Sequence, residues 1–281
     1  MKWATEEIAR TSEEIRKRHG ENRAAWNKAA EKYRMENEAS VQLLKNGTSN
    51  LHPIERENLG RIGPLSEWCK RAIHLQCASG YDTMSLILEG AQEVIGIDIS
   101  DIHIKNAEWR SQQFDFSTRW IRGDVLDTPT ELDGSADLVY TGRGALCWIH
   151  DIDGWARVVY RLLKKGGVFS VLDGHPIVWL FDMDSSELQC SGINYNSHAE
   201  WNKGWPEAYL GDMGKPVEEE QTKHEVLWKI SDIFQALTNA GLTVEYIGEH
   251  ADEYFPEFPK LSEADRAKIP MTFSLIARKF K

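Results

Sequence analysis

The sequence predicts an α/β protein whose core is a doubly wound, mostly parallel β-sheet. Short apolar runs typical of buried strands alternate with amphipathic stretches typical of helices, and this alternation implies crossover connections between parallel strands. The stretch "RLLKKGGVFSVLD" shows the change of period, because Gly166 and Gly167 separate a helix end from a strand start.

Each element follows from the same periodicity. Strands are expected near residues 72–77, 93–98, 118–122, 136–141 and 167–173, and helices between most of them near residues 82–90, 101–114 and 152–164. A helix near 225–240 should end at Gly241. The last two strands, near 243–248 and 271–278, could pair as an antiparallel edge.

The N-terminal segment predicts an addition to this core. Residues 4–45 indicate two helices separated at Gly20, and the second carries Trp26 and Tyr33 on one face by its spacing. Residues 46–64, rich in turn formers, predict a connecting loop.

A second addition interrupts the pattern after the fifth strand. Residues 175–222 lose regular period, and irregular stretches of this length usually form lids or binding loops. We therefore expect an N-terminal helical extension or lid over residues 1–64 and a main domain over residues 65–281 with an irregular cap at about 175–222.

Composition and charge restrict the class of partner. The 281 residues are 41% apolar and 27% charged, as in an ordinary globular protein with a sizeable core. Thirty-three basic against 44 acidic residues give a net charge of -11, which repels a phosphate backbone. A nucleic-acid substrate is therefore disfavoured.

Cysteine spacing and hydropathy indicate the compartment. Cys69, Cys77, Cys147 and Cys190 show no C-x-x-C spacing, and no signal peptide is recognisable, so we expect free thiols and a cytoplasmic location. No apolar run approaches the roughly 18 residues that a membrane helix needs, so no membrane partner is expected. The oligomeric state cannot be read from the sequence.

The stretch "CASGYD" lies where the first strand of the sheet turns into its helix. Ligands of open parallel sheets bind at this place, beyond the carboxyl ends of the strands. Gly80 permits close approach of the chain, and Asp98, at the end of the next strand, can accept hydrogen bonds from a ribose diol. The alternative is that Gly80 makes a turn and Asp98 caps a helix.

Several segments in order give a specific family resemblance: "IHLQCASGYDTMSLILEGAQEVIGIDIS", "RGDVLDTP", "ADLVYTGRGALCWIHDIDGWARVVYRLLKKGGVFSVLDGHP" and "MTFSLIARK". They resemble class I S-adenosylmethionine-dependent methyltransferases, and most of all bacterial small-molecule members whose first loop begins HLQC. The resemblance covers roughly residues 70–280. It implies a Rossmann-like seven-stranded sheet with one reversed strand, a methyltransferase domain within 65–281, S-adenosyl-L-methionine as cofactor and S-adenosyl-L-homocysteine as product.

The resemblance also implies contacts to the methionine and ribose portion of the cofactor. The loop residues that would line this portion are Cys77, Ala78, Ser79 and Gly80. Asp98 would hold the ribose hydroxyls.

Further along the chain the resemblance implies contacts to the adenine and the sulfonium. Ile99 would pack on the adenine, and Asp124 would meet its amino group with Val125 beside it. Thr141 and Gly142, which end the fourth strand, would lie near the sulfonium.

Two aromatic residues of the N-terminal segment complete the expected cofactor contacts. Trp26 and Tyr33 would close the site, since related enzymes often use such a helix as a lid. Simple helix packing is the alternative role for both side chains.

The first loop departs from the family pattern. Acidic and glycine positions of the usual "DxGxGxG" loop are taken here by His74, Gln76 and Ala78. Because the methionine and ribose need no phosphate cradle, the lost glycines count more against a dinucleotide than against S-adenosylmethionine.

Three side chains are candidates for catalysis. Methyl transfer can proceed by alignment alone, but a base helps when the acceptor must lose a proton. His175 follows the fifth strand and is the leading candidate, and His150 and Tyr140 follow or end the fourth. Each has a structural alternative, in turn fixation, helix capping or the core.

No metal is expected. Asp182, Asp184, His198 and Glu200 are the only cluster that resembles metal ligands, and their spacing matches no common site. The aromatic residues of the insertion suit a cap over a small organic acceptor.

The sequence thus predicts an enzyme that transfers a methyl group from S-adenosylmethionine to nitrogen, oxygen or carbon of a small organic acceptor. Two alternatives remain open. One is a nicotinamide-dependent oxidoreductase with Asp98 on the ribose, and the other is a non-catalytic module that binds S-adenosylmethionine.

Overall fold

The structure is a computed structural model that describes residues 2–33, 37–205, 210 and 213–281, without the side chains of Lys2 and Tyr33. In chain order its strands are β1 (Lys2–Glu6), β2 (Arg71–Leu75), β3 (Glu93–Asp98), β4 (Thr118–Arg122), β5 (Ala136–Thr141), β6 (Leu163–Gly174), β7 (Ala199–Lys203), β8 (Lys223–Val226), β9 (Thr243–His250) and β10 (Thr272–Arg278). Its α-helices are α1 (Ser12–Tyr33), α2 (Asn37–Lys45), α3 (Pro53–Gly60), α4 (Leu65–Trp68), α5 (Tyr81–Leu88), α6 (Asp101–Ser111), α7 (Ile152–Leu162), α8 (Ile230–Asn239) and α9 (Glu263–Arg266).

The central sheet has seven strands in the order β4-β3-β2-β5-β6-β10-β9. Parallel pairing joins β4 through β6, while β10 is antiparallel to both β6 and β9. Six strands therefore share one direction and one is reversed, so the predicted fold class and the predicted antiparallel edge are confirmed.

Burial on both faces explains why the inner strands are apolar throughout. Every residue of β5 is buried, as parallel strands covered by helices require. One core cluster includes Trp155, Phe169 and Phe273, between the sheet and helices α7 and α8. A second, which includes Leu59 and Leu86, covers the other face beneath α3 and α5.

The N-terminal segment differs from the expected pair of helices. Helix α1 continues through Gly20, and β1 precedes it. A glycine inside a helix costs only about 1 kcal/mol relative to alanine, so packing of α1 against β8 and α6 outweighs it. The expected loop over residues 46–64 also contains α3. Its start has a capping box in which His52 accepts from Ile54 N and Glu55 accepts from His52 N.

The insertion is more regular than predicted. Strands β7 and β8 pair with each other, and β7 also pairs with β1, which gives a three-stranded antiparallel sheet in the order β1-β7-β8. We name this sheet the cap sheet. The helix expected over 225–240 begins only at Ile230, because residues 223–226 are engaged in this pairing. The division at residues 64 and 65 stays a prediction.

Candidate active site

A cavity of about 1940 Å³ lies at the carboxyl ends of the parallel strands, the place predicted from the sheet. Pockets for one small ligand usually measure about 300–1,000 Å³, so this cavity has room for two small molecules. Its wall combines the turns after the strands with α1, the cap sheet and residues 254–259.

The loop after β2 keeps backbone conformations that usually require glycine, although other residues occupy two of these positions. Gln76 has φ 59° and Ala78 has φ 44°, both in the left-handed region that residues with a side chain rarely adopt. Such a conformation costs on the order of 1 kcal/mol or more per residue and persists when the surroundings impose it. Here Gln76 Nε2 donates to the carbonyl oxygen of Ala145 at 2.6 Å, and Ala78 N donates to Asp98.

Packing inside the protein requires Gly80, independently of the expected close approach to a ligand. Gly80 lines the cavity with φ 77°, but a Cβ atom there would lie 2.4 Å from Cη2 of Trp120 on β4 and 2.9 Å from Cβ of Ala107. Gly96 meets the same indole, with its Cβ position 2.4 Å from Cζ3 of Trp120. Packing of Trp120 therefore requires both glycines.

Asp98 ends β3 and reaches the cavity with only 8% of its surface exposed. Its Oδ2 accepts from Ala78 N and its Oδ1 from Ser100 N, both at 2.8 Å. Burial raises the pKa of Asp98 to about 6, although these two donors act to lower it. Each oxygen still has acceptor capacity for a ligand hydroxyl.

Asp124 lines the cavity but is held by a residue that sequence reasoning missed. Its Oδ2 lies 2.6 Å from Nδ1 of His19 on α1, and its Oδ1 accepts from Leu126 N at 3.0 Å. His150 N donates to Nε2 of His19 at 3.1 Å, so Nδ1 carries the His19 proton and donates it to Asp124. Burial acts to raise the pKa of Asp124, but the His19 contact and the Leu126 donor leave it lowered.

The other residues expected at the cofactor divide into those that line the cavity and those that do not. Those that line the cavity are Cys77, Ala78, Ser79, Ile99, Val125 and Trp26. Trp26 packs against Trp205 at 4.7 Å and Trp148 at 5.2 Å between ring centroids. The Tyr33 side chain lies outside the described residues, so its contact stays a prediction.

Thr141 and Gly142 do not reach the cavity as described. Thr141 is fully buried and its Oγ1 has no hydrogen-bond partner. A Cβ on Gly142 would lie 3.2 Å from Nε2 of His74, inside the protein. The turn from Arg143 to Trp148 lines the cavity in their place, because the chain leaves β5 beneath it.

The three predicted catalytic side chains also lie outside the described cavity lining. Nδ1 of His175 accepts from Ile177 N at 3.1 Å and Nε2 lies 2.9 Å from Oε1 of Glu249, so the ring caps a short 3-10 helix, Pro176–Leu180. Burial lowers the pKa of His150 to about 3. Tyr140 is fully buried and donates to Oε1 of Glu55 at 2.6 Å. Their catalytic roles stay predictions.

Sequence reasoning missed several polar residues of the cavity wall. Asp173 ends β6, and its carboxylate accepts from the backbone N–H groups of Gly144, Ala145 and Leu146 and from the Tyr254 hydroxyl. The signal was present, because Asp173 stands at its strand end as Asp98 does. Glu225 and Glu257 gave no such signal, since the cap sheet brings Glu225 into the wall and the segment of residues 254–259 brings Glu257 there.

Neither a metal site nor a membrane-spanning helix is present among the described residues. No group of three or more His, Cys, Asp or Glu side chains there could hold a metal ion. No described helix is long and apolar enough to cross a membrane. The four cysteines are unpaired in the structure, and burial raises the pKa of the Cys77 and Cys147 thiols.

Comparisons with known proteins agree with this geometry. Residues 72–167 match the family model described as a methyltransferase domain. The chain is 30% identical over 141 residues to an uncharacterized methyltransferase of Synechocystis, a match that covers 48% of this chain and 59% of the relative. The chain thus spans about three fifths of that relative's length.

Solved structures share the fold. An S-adenosylmethionine-dependent methyltransferase from Mesorhizobium loti superposes with a TM-score of 0.53 at 20% identity, over 80% of this chain and 98% of that one. Geranyl diphosphate C-methyltransferase from Streptomyces coelicolor, solved with S-adenosyl-L-homocysteine, gives 0.52 at 14% identity, over 80% and 75%. Residues 72–167 of this chain thus match the family model of a methyltransferase domain, and the chain shares the seven-stranded fold of these S-adenosylmethionine-dependent methyltransferases.

Proposed function

We propose that this protein transfers a methyl group from S-adenosyl-L-methionine to a small organic acceptor. The observation that carries the proposal is the Asp98 carboxylate at the end of β3, held beside the loop of residues 76–80 in the wall of one cavity. The family match over residues 72–167 supports the same reaction.

The chemistry of the wall fits the cofactor. Asp98 has acceptor capacity for the two ribose hydroxyls. Gln76 lines the cavity, and its buried Oε1 has no hydrogen-bond partner among the described residues. This oxygen would accept from the ammonium group of the methionine portion. When bound, S-adenosylmethionine supplies a methyl group activated by a sulfonium.

The protein's own residues would align the reactants and exclude water. The cap sheet, α1 and residues 254–259 lie around the cavity, and alignment with exclusion of water accounts for much of the rate in such displacements. Trp26 and Trp148 would present aromatic faces to a positively charged centre.

The acidic balance of the chain supports a small molecule, rather than nucleic acid, as the acceptor. The loop after β2 also weakens a dinucleotide alternative, because it lacks the G-x-G-x-x-G spacing of a dinucleotide-binding loop. A non-catalytic binding module would bind the cofactor in the same way, so turnover must separate it from an enzyme.

Binding of S-adenosyl-L-homocysteine by calorimetry tests the proposal. Asp98→Asn should weaken binding at pH 8 by about 1.5–3 kcal/mol, the typical range for a lost charge-assisted hydrogen bond. Because the carboxylate must be ionised to accept from both hydroxyls and its pKa is about 6, affinity should rise as pH increases through 6 and then level off.

Asp115→Asn, in an exposed loop, serves as the matched control and should leave both the affinity and its pH dependence unchanged. An Asp98→Asn variant that binds as tightly as the parent would remove Asp98 from the site. Conversion of S-adenosylmethionine to S-adenosylhomocysteine with an extract of small metabolites then distinguishes an enzyme from a binding module.

A further inference from the structure

Among the residues that the structure describes, the cavity wall has more carboxyl than cationic side chains. Its carboxyl side chains are Asp82, Asp98, Asp124, Asp173, Asp182, Asp184, Glu200, Glu225 and Glu257, and its cationic ones are Arg110, Arg143 and Lys223. Arg143 is paired with Asp82, and Arg110 donates to the Ser79 carbonyl oxygen. The bound sulfonium accounts for only one positive charge.

Carboxylates of this wall concentrate at a distance from the adenosine side. Asp98 and Asp124 follow β3 and β4, at one side of the sheet, whereas Asp173 ends β6, beyond β2 and β5. We name the region around Asp173, Glu200, Glu225 and Glu257 the acidic pocket. A molecule bound there would lie across β2 and β5 from Asp98.

The cap sheet forms one wall of the acidic pocket. Glu200 on β7 stands directly opposite Glu225 on β8, an arrangement that is unfavourable for like charges. The side-chain amide of Asn202 holds both, because Nδ2 donates to Oε1 of Glu200 and to Oε1 of Glu225, each at 2.9 Å. Lys223 donates to Asn202 and lies 3.9 Å from Oε1 of Glu225, and Nε2 of His198 lies 2.8 Å from Oε2 of Glu200.

Glu257 enters the acidic pocket from the segment that precedes α9. Its carboxylate makes no hydrogen bond or ion pair to any residue in the described ranges, although it lines the cavity. Burial raises the pKa of Glu257 to about 7, and the charges of Glu253, Glu225 and Asp173 act in the same direction. Glu257 is therefore a buried carboxyl group without a cationic partner among the described residues.

Aromatic side chains line the cavity together with these carboxylates. Trp179, Tyr254 and Phe255 contribute to its wall. Lys223 already places its ammonium 4.6 Å from the centre of the Trp205 ring, so the cavity wall contains one amine nitrogen beside an indole. Aromatic faces combined with carboxylates are the chemistry that recognises an organic ammonium group.

Resting on the proposed function, we infer that the methyl acceptor is an organic amine that binds in the acidic pocket as its protonated cation, with Glu257 as the group that removes its proton. The amine gives one proton to the Glu257 carboxylate, and its freed nitrogen lone pair forms a bond to the methyl carbon. The bond between that carbon and sulfur breaks with its electron pair on sulfur. The products are the N-methylated ammonium ion of the acceptor, the neutral thioether S-adenosylhomocysteine and a proton that Glu257 releases to water.

The first test identifies the charge of the acceptor. Protein and tritiated methyl donor are incubated with a small-metabolite extract that has been separated by ion exchange into cationic, neutral and anionic fractions. The inference expects label in a product of the cationic fraction. Label confined to the neutral or anionic fraction, or no label in any fraction, contradicts it.

The second test isolates the charge preference with two probes of equal shape. Calorimetry on the protein saturated with S-adenosylhomocysteine compares choline with 3,3-dimethyl-1-butanol, in which carbon replaces the charged nitrogen. Choline should bind at least tenfold more tightly, and Glu257→Gln should reduce its affinity about tenfold. Equal binding of the two probes, or no binding of either, contradicts the inference.

The third test uses the pH dependence of Glu257→Gln with the amine found in the first. Loss of a general base should lower kcat about 10²-fold at pH 7. The deficit should shrink as pH approaches the pKa of the amine itself, because the free amine then needs no base. A deficit that is constant with pH contradicts the assigned role.

Two comparisons separate this inference from the proposed function. Glu219→Gln, an exposed carboxyl, should behave as the parent in every assay. Glu257→Gln should retain the parent's affinity for S-adenosylhomocysteine. If the parent fails to bind S-adenosylhomocysteine, the proposed function fails. If the parent binds it tightly but label appears only in a product of the neutral or anionic fraction, only the inference that the acceptor is an amine is contradicted.

Discussion

At the scale of single residues, the loop after β2 shows how packing can replace a sequence motif. Gln76 and Ala78 hold left-handed φ values where the family pattern has glycines. Gly80 is retained because Trp120 occupies the space of its side chain. The glycine most typical of a ligand loop is therefore explained by the core.

Gly80→Ala is expected to destabilise the protein strongly. Its φ of 77° costs alanine about 1–2 kcal/mol, and the collision with Trp120 adds about 1–3 kcal/mol of overpacking. Gly134→Ala is the matched control, because its φ is 62° but no atom lies within 4 Å of the added Cβ. Urea denaturation of both variants measures the difference, and equal losses would show that only the backbone conformation matters.

At the scale of elements, the side-chain amide of Asn22 joins α1 to β8 of the cap sheet, beside the contact of Glu21 with the His224 ring. Nδ2 of Asn22 donates to the His224 carbonyl oxygen at 2.9 Å, and Oδ1 accepts from His224 N at 2.6 Å. Asn22 thus satisfies both backbone groups of β8 at this position, as a neighbouring strand would. His19, three residues earlier, contacts Asp124 on the other side of the cavity.

Asn22→Ala should loosen the cap sheet. The substitution leaves the buried N–H of His224 unsatisfied at a cost of about 1–3 kcal/mol, while the His224 carbonyl oxygen keeps Nε2 of His150 at 3.2 Å. Hydrogen exchange of amides in β7 and β8 should accelerate, while exchange in β2 and β5 stays as in the parent. Lys17→Ala, exposed on the same helix, is the control, and unchanged exchange in Asn22→Ala would argue against this role.

At the scale of the whole molecule, buried ionisable groups act on stability in opposite directions. Burial lowers the pKa of His74 to about 4 and of His103 to about 3. The contribution of these neutral imidazoles to folding stability is therefore complete above pH 6.5 and is lost as the pH falls through the lowered pKa values. Burial raises the pKa of Glu257, and its folded state holds a proton more tightly than the unfolded chain. That contribution is complete below about 4.5 and is lost as pH rises through 7.

Glu257→Gln should therefore gain stability relative to the parent as pH rises. The advantage is expected to grow between pH 4.5 and 7 and to remain constant above, because Glu257 faces the carboxylates of Glu253, Glu225 and Asp173. Urea denaturation across this range measures it, with Glu219→Gln as control. A difference that does not change with pH would mean that Glu257 does not titrate in this window.

The sequence by itself determined the central sheet and the edge of that sheet at which the cavity lies. Strand bounds near 93–98 and 136–141 agree with the structure, because buried parallel strands are continuous apolar runs that need no distant information. The bounds of 118–122 also agree, although this edge strand is only partly buried. Asp98 could be found for the same reason, since parallel strands end at one edge.

Only the tertiary structure decided the cap. Residues 2–6, 199–203 and 223–226 are too short and too polar to predict strands, and they form a sheet because three distant segments pair. The same pairing brings Glu200 opposite Glu225 and places both in the cavity wall. Local periodicity is blind to such contacts, so the acidic pocket depends on long-range packing alone.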